Sequence, residues 1–81
     1  MNLDLLPLRC KARISGIDRT LLASHEARRL QELGFDEGVL IETLHHGPVG
    51  RDPIACRVGR MTIALRRRQA VAILVEPEDR A

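Results

Sequence analysis

The fold class that the sequence predicts is mainly β: a small barrel of about five antiparallel strands, with one short α-helix inserted after the first strand. Three observations carry it. Short runs of alternating or β-branched apolar residues recur along most of the chain, a single window of helical period interrupts them after Leu22, and Gly, Pro and Asp punctuate the intervals. A chain of 81 residues buries only about 60% of the surface it exposes when unfolded, which leaves room for one core. Closing the sheet into a barrel hides strand edges that would otherwise invite aggregation.

The elements follow in order. Arg9 to Ile17, RCKARISGI, alternates strictly, with Cys10, Ala12 and Ile14 on one face and Arg9, Lys11 and Arg13 on the other, which predicts a half-buried strand. From Leu22 to Leu33 the period becomes helical: Ala23, Ala27, Leu30 and Leu33 form one stripe, while His25, Glu26, Arg28, Arg29 and Glu32 face elsewhere. Ser24 is the expected cap, its hydroxyl accepting from an orphan N–H, and Glu26 complements the dipole in the first turn. Gly34 ends the helix in a Schellman motif that folds Phe35 back onto Leu30, and Asp36 to Gly38 turns the chain.

Val39 to Leu44 is rich in β-formers, GRDP makes a loop, and Ile54 to Val58 returns. Gly59 and Arg60 form a tight turn, from which Met61, Ile63 and Leu65 alternate. Arg66, Arg67 and Arg68 interrupt the apolar pattern at a one-turn connection. Val71 to Val75 closes the set, and Pro77 is expected to stop its pairing. One domain covers residues 1–81, with an ordered core from about residue 7 to 76 and a tail at 77–81 expected to fray.

Hydrophobic residues make up 44% and charged ones 30%, a globular balance outside the region of disorder. Phe35 is the only aromatic, so the core is built from Leu, Ile, Val, Ala and Met and is thin. Thirteen basic residues, twelve of them Arg, stand against eleven acidic ones, and a net charge of +2 is too small a surplus for a dedicated nucleic-acid binder. Cys10 and Cys56 form no CxxC pair, which argues against a redox motif or a closed zinc site. Met1 to Leu8 has no basic n-region, and no apolar run approaches the roughly 20 residues of a membrane span. A cytoplasmic protein with reduced thiols is expected.

The run RRLQELGFDEG at Arg28 to Gly38, followed by GPVGRDPI at Gly47 to Ile54 and LRRRQAVAILVE at Leu65 to Glu76, resembles the FeoA family. Leu33, Gly34, Gly38, Pro48, Gly50, Asp52, Pro53, Ile54, Leu65, Arg66, Arg67 and Ala70 match that family's pattern, and the likeness runs from about Pro7 to Glu76. Gly47 and Val49 depart from it, where Ala and Leu are usual, and Arg51 looks like a one-residue insertion; all three lie in the hairpin loop, where extra length costs little. The resemblance implies an SH3-like barrel and an accessory role in bacterial ferrous iron uptake. The implied partner is the cytoplasmic part of FeoB, a membrane permease with a G-protein domain, so the chain would be peripheral to the inner membrane through that partner. The same barrel forms the C-terminal domain of iron-dependent repressors, but no DNA-reading helix pair precedes it here.

Two candidate sites emerge. His45 and His46 with Asp52 could form a ferrous site of two imidazoles and a carboxylate, which suits that ion. Adjacent histidines in one strand point to opposite faces, however, so the strand would have to end by His45. Cys56 is the other near donor, although two residues from Ile54 it reads as a small buried hydrophobe. The second candidate is a protein contact surface. Pro48 and Val49 project apolar atoms from a stiff loop that loses little entropy on docking, flanked by Arg51, with Arg28 and Arg29 beside His25 on the helix. Arg66 and Arg67 offer planar forks to an acidic partner or a phosphate, against the plain alternative of a solvated turn.

Three functions of different class follow. The leading one is a non-catalytic interaction module with no cofactor. The second is an Fe(II) carrier or sensor using His45 and His46, and the third a nucleic-acid-binding barrel working through its arginines, which the lack of stacking aromatics disfavours. Self-association through a barrel edge is a further partnership open to short strands. Catalysis has no support: Ser15 and Ser24 lie in no motif, and no phosphate-binding glycine loop is present.

Overall fold

Lys11–Ile17 forms the first strand, β1, because alternation lets Ala12 and Ile14 enter the core while Lys11 and Arg13 stay in water. The computed structural model describes residues 1–78. After β1 come a 3-10 turn at Arg19–Leu21, the helix α1 at Ser24–Glu32, and strands β2 at Leu40–Val49, β3 at Asp52–Val58 and β4 at Met61–Leu65. A short helix α2 at Arg67–Val71 then leads into β5 at Ile73–Pro77. The strands form one antiparallel sheet in the order β4-β3-β2-β1-β5. Irregularities in register at Ile14/Gly16, Thr43/His45 and His46/Val49 bend it, as bulges do. It curls far enough that α2 contacts both terminal strands, β4 and β5.

The interior is aliphatic apart from Phe35. Leu3, Ile14, Leu30, Ile41, Ile54, Ile73, Val75, Cys56 and Phe35 are fully buried. Phe35 reaches its place through the expected Schellman ending: its N–H donates to the Leu30 carbonyl at 3.0 Å and that of Gly34 to Gln31 at 3.0 Å. Gly34 sits at φ 104°, a conformation open to glycine.

Several expectations are corrected. The residue capping α1 is Ala23, not Ser24, and it has no side chain to cap with; instead Glu26 Oε1 accepts from the Ala23 N–H at 3.1 Å, closing the helix entry from within. Cys10 is exposed rather than facing the core, because Arg9 takes a left-handed φ of 67° and the strand begins only at Lys11. Val71 belongs to α2, so β5 starts at Ile73. Asp52 and Pro53 lie within β3 rather than in the loop. Pro77 does not stop the pairing: it faces Ala12 in β5, and the Glu78 N–H donates to the Lys11 carbonyl at 2.9 Å. A proline is tolerated there because β5 is an edge strand and the missing N–H is not one that faces β1. Of the tail expected to fray, 79–81 lies outside the described residues.

The core also extends further towards the N-terminus than residue 7. Leu3 and Leu6, on either side of a 3-10 turn at Leu3–Leu5, are buried. Met1 and Asn2 pair with β5 through Val75 and Leu74.

Gly47 marks the tightest backbone approach. A Cβ there would lie 2.2 Å from the Asp52 carbonyl oxygen, an overlap only backbone movement can relieve, whereas at Gly16 it would meet nothing within 4 Å. Gly47→Ala is therefore expected to lower stability by about 1–3 kcal/mol, the usual cost of an overpacked site. Gly16→Ala should leave it unchanged or raise it by up to about 1 kcal/mol. Thermal melts of the two variants check this contrast.

Candidate interaction surface

The β2–β3 hairpin extends further than its sequence suggests. β2 continues past the histidines to Val49, which pairs with Asp52 across a two-residue turn. Gly50 and Arg51, at φ 65° and 57°, both occupy the left-handed region that a type I′ turn requires. The residue that looked like an insertion is thus one of the two that make the turn. Pro48, Val49 and Arg51 are all exposed, and Val49 presents 80% of its surface to solvent. An isolated valine at a tip lowers no energy in the free protein.

Arg67 fixes this hairpin to the body. Its backbone N–H donates to Asp52 Oδ1 at 3.1 Å, satisfying one of the orphan donors at the start of α2. Its guanidinium donates from Nη1 to the Gly50 carbonyl at 3.3 Å and lies, through Nε, 3.7 Å from Asp4 Oδ2. Asp4 is buried to 9% exposure, and its other oxygen has no hydrogen-bond partner. Arg67 therefore joins the N-terminal turn, the hairpin and α2. Asp4 was missed by sequence reasoning; its only signal is a lone carboxylate among the leucines of LDLL.

Arg68 holds the other side. It donates through two nitrogens to Glu26, at 3.2 and 2.5 Å, linking α2 to α1. That fork, with the Ala23 N–H beside it, holds the Glu26 carboxyl down at about 2. The outer face of α1 is thus connected to the hairpin through α2. Arg28 and Arg29 on α1, and Arg66 at the start of α2, are exposed.

The structure does not gather His45, His46 and Asp52 into one ligand set. His45 and His46 are consecutive register partners of Ala55 and Ile54, so their side chains leave opposite faces of β2, and both imidazoles are exposed. Asp52 is engaged by Arg67. Cys56 is fully buried, its thiol pushed up to about 12 by burial and donating to the Ile63 carbonyl at 3.6 Å. Among the described residues, no three His, Cys, Asp or Glu side chains converge as a metal site would need. Three surface clefts have volumes of 200 to 210 Å³, below the roughly 300–1,000 Å³ of ligand pockets.

The profile of the FeoA domain matches residues 1–77. The chain belongs to the FeoA family. A zinc-complexed FeoA from Stenotrophomonas maltophilia, described as a procaryotic SH3 domain protein and a candidate activating factor of ferrous iron transport, is 36% identical, with a TM-score of 0.84 over 100% of this chain and 99% of that one. Iron(II) transport protein A from Clostridium thermocellum is 34% identical, with a TM-score of 0.85 over 95% of this chain; the match spans 45% of that longer protein. T. acidophilum IdeR, at 23% identity and a TM-score of 0.77, covers 96% of this FeoA-family chain with 34% of its own and shares the fold alone. No curated protein sequence matches significantly. The bent five-stranded sheet is accordingly an SH3-like barrel.

Two outcomes test how this surface is held. Replacing Arg67 with Met leaves the buried Asp4 carboxylate unpaired and should lower the melting temperature by more in the wild-type background than in Asp4→Asn; a double-mutant cycle measures the coupling. Because Glu26 has its carboxyl depressed from 4.5 to about 2, its contribution is complete above pH 4.5 and is lost as pH falls towards 2. Melts across that window should decline more steeply for the wild type than for Glu26→Gln.

Proposed function

We propose that the chain is a non-catalytic cytoplasmic accessory protein of ferrous iron uptake, which binds the cytoplasmic part of a FeoB-type permease and alters its assembly or activity. Family membership supports the setting, and one observation supports the mode of action: Val49 and Pro48 stand exposed on a hairpin that Arg67 anchors at two places. A tip held this firmly loses little conformational freedom on docking, so its buried apolar area contributes directly to affinity. Arg51 beside it, with Arg28 and Arg29 exposed on α1 and Arg66 exposed at the start of α2, would supply the charges that steer an acidic partner. No helix among the described residues is long and apolar enough to cross a membrane, so membrane association in this reading comes through the permease.

An Fe(II) carrier is less well supported, since among the described residues no third donor converges with His45 and His46. The nucleic-acid reading weakens because Arg67 and Arg68 are engaged by Asp4 and Glu26.

Val49→Asp buries a charge in the proposed contact and should weaken capture by the permease's cytoplasmic domain at least tenfold, equivalent to about 1.4 kcal/mol, while leaving the melting temperature unchanged. Unchanged affinity with an intact fold would remove the hairpin from the contact.

A further inference from the structure

β4 and β5 end the sheet, and the chain treats these two edges differently. On β5 the N-terminal segment supplies a cover: the Val75 N–H donates to the Met1 carbonyl at 2.7 Å, the Met1 ammonium donates to the Val75 carbonyl at 3.2 Å, and Asn2 bridges to Leu74. On β4 no such cover exists among the described residues. Val58 and Met61 close the two-residue turn at Gly59–Arg60 as a hydrogen-bonded pair, so Met61, Ile63 and Leu65 direct their backbone groups at β3. Thr62 and Ala64 then aim theirs away from it. Both residues are exposed, and among the described residues neither takes part in any hydrogen bond beyond the β3 pairing. Such a row of unpaired donors and acceptors is a template for a further strand.

The charge around this edge is one-sided. Residues 53–75 contain five arginines and no Asp or Glu. Arg67 and Arg68 are ion-paired with Asp4 and Glu26, and Arg57 lies 3.9 Å from Glu42. Arg60 and Arg66, which bracket β4, are exposed and enter no ion pair among the described residues. Between them the strand reads MTIAL, without a charge of its own.

We propose that the outer edge of β4 is a strand-addition site for an extended segment of a partner protein, about as long as β4 itself and bracketed by carboxylates. Backbone pairing at Thr62 and Ala64 supplies the attachment, and Arg60 and Arg66 select the charge of the flanks. A second copy of this chain fits the edge poorly. The register that pairs both outward residues of each copy is centred on Ile63, and it sets Arg60 against Arg66 of the other copy at both ends; like charges directly opposed are destabilising. This site is separate from the hairpin tip and does not depend on the permease being the partner there.

The test is an NMR titration of the isotope-labelled protein with the synthetic peptide acetyl-Asp-Val-Thr-Val-Thr-Val-Glu-amide. The amides of Thr62 and Ala64 should shift most and gain protection from solvent exchange. Arg60→Glu combined with Arg66→Glu should weaken binding at least tenfold, as should Thr62→Pro, which deletes an outward N–H that β3 does not use. Should Thr62→Pro disrupt the β3–β4 pairing, the same peptide N-methylated along one edge, offered to the wild type, makes the equivalent deletion from the other side and should bind at least tenfold more weakly. Absence of binding at about 1 mM peptide, where even a weak specific complex is populated, would overturn the proposal. So would equal affinity for the N-methylated peptide or for one with lysine ends. Concentration-dependent protection of Thr62 and Ala64 without peptide would also overturn it, by assigning the edge to a second copy.

Discussion

The contacts of one arginine organise the hairpin end of this barrel. Arg67 sits where the N-terminal turn, the β2–β3 hairpin and α2 converge, and it meets each of them with a different group: guanidinium Nε towards Asp4, Nη1 to the Gly50 carbonyl, and the backbone N–H to Asp52. A core with a single aromatic cannot hold three peripheral segments by apolar area alone, because little such area is left over once the sheet has curled. Directional polar contacts take over at the margin. A planar, always-charged fork suits this junction better than an ammonium would, since it serves two acceptors in fixed geometry.

Much of the fold was legible in the sequence, and the reasons are local. Period-2 runs at Ala12–Ile14 and Ile54–Val58, and the glycine after a helical stripe at Gly34, carry a local pattern that the final backbone keeps. The errors arose where tertiary partners decide. Cys10 fits the alternation of β1, yet the left-handed backbone at Arg9 keeps it outside. Ser24 has the chemistry of a cap, but Glu26 reaches back to the Ala23 N–H and shifts the helix start by one residue. The apolar N-terminal residues fall outside the core expected from about residue 7, and it is α2 and β5 together that give Leu3 and Leu6 a place to pack.

The candidate site was legible in part. The sequence suggests a loop carrying Pro48 and Val49; in the structure both lie at the end of β2, Gly50 and Arg51 make the turn, and Val49 is exposed. What pattern alone could not supply was the fate of the charged residues around it. In sequence, Arg66, Arg67 and Arg68 look equivalent. In the fold, Arg67 and Arg68 face buried or half-buried carboxylates contributed from 63 and 42 positions away, while Arg66 faces water. Charge partners at such separations leave no local signature, so a run of like residues divides into structural and available members only when the chain closes.

The two thiols differ in the same way, and the difference has practical value. Cys56 lies inside with its proton held tightly, whereas Cys10 stands at the surface between Arg9 and Lys11. Only a thiolate attacks an electrophile, so a maleimide dye or spin label added to the folded, unaltered protein attaches at one position. The molecule thus carries its own single handle for following its encounters by fluorescence or electron resonance, with no residue changed.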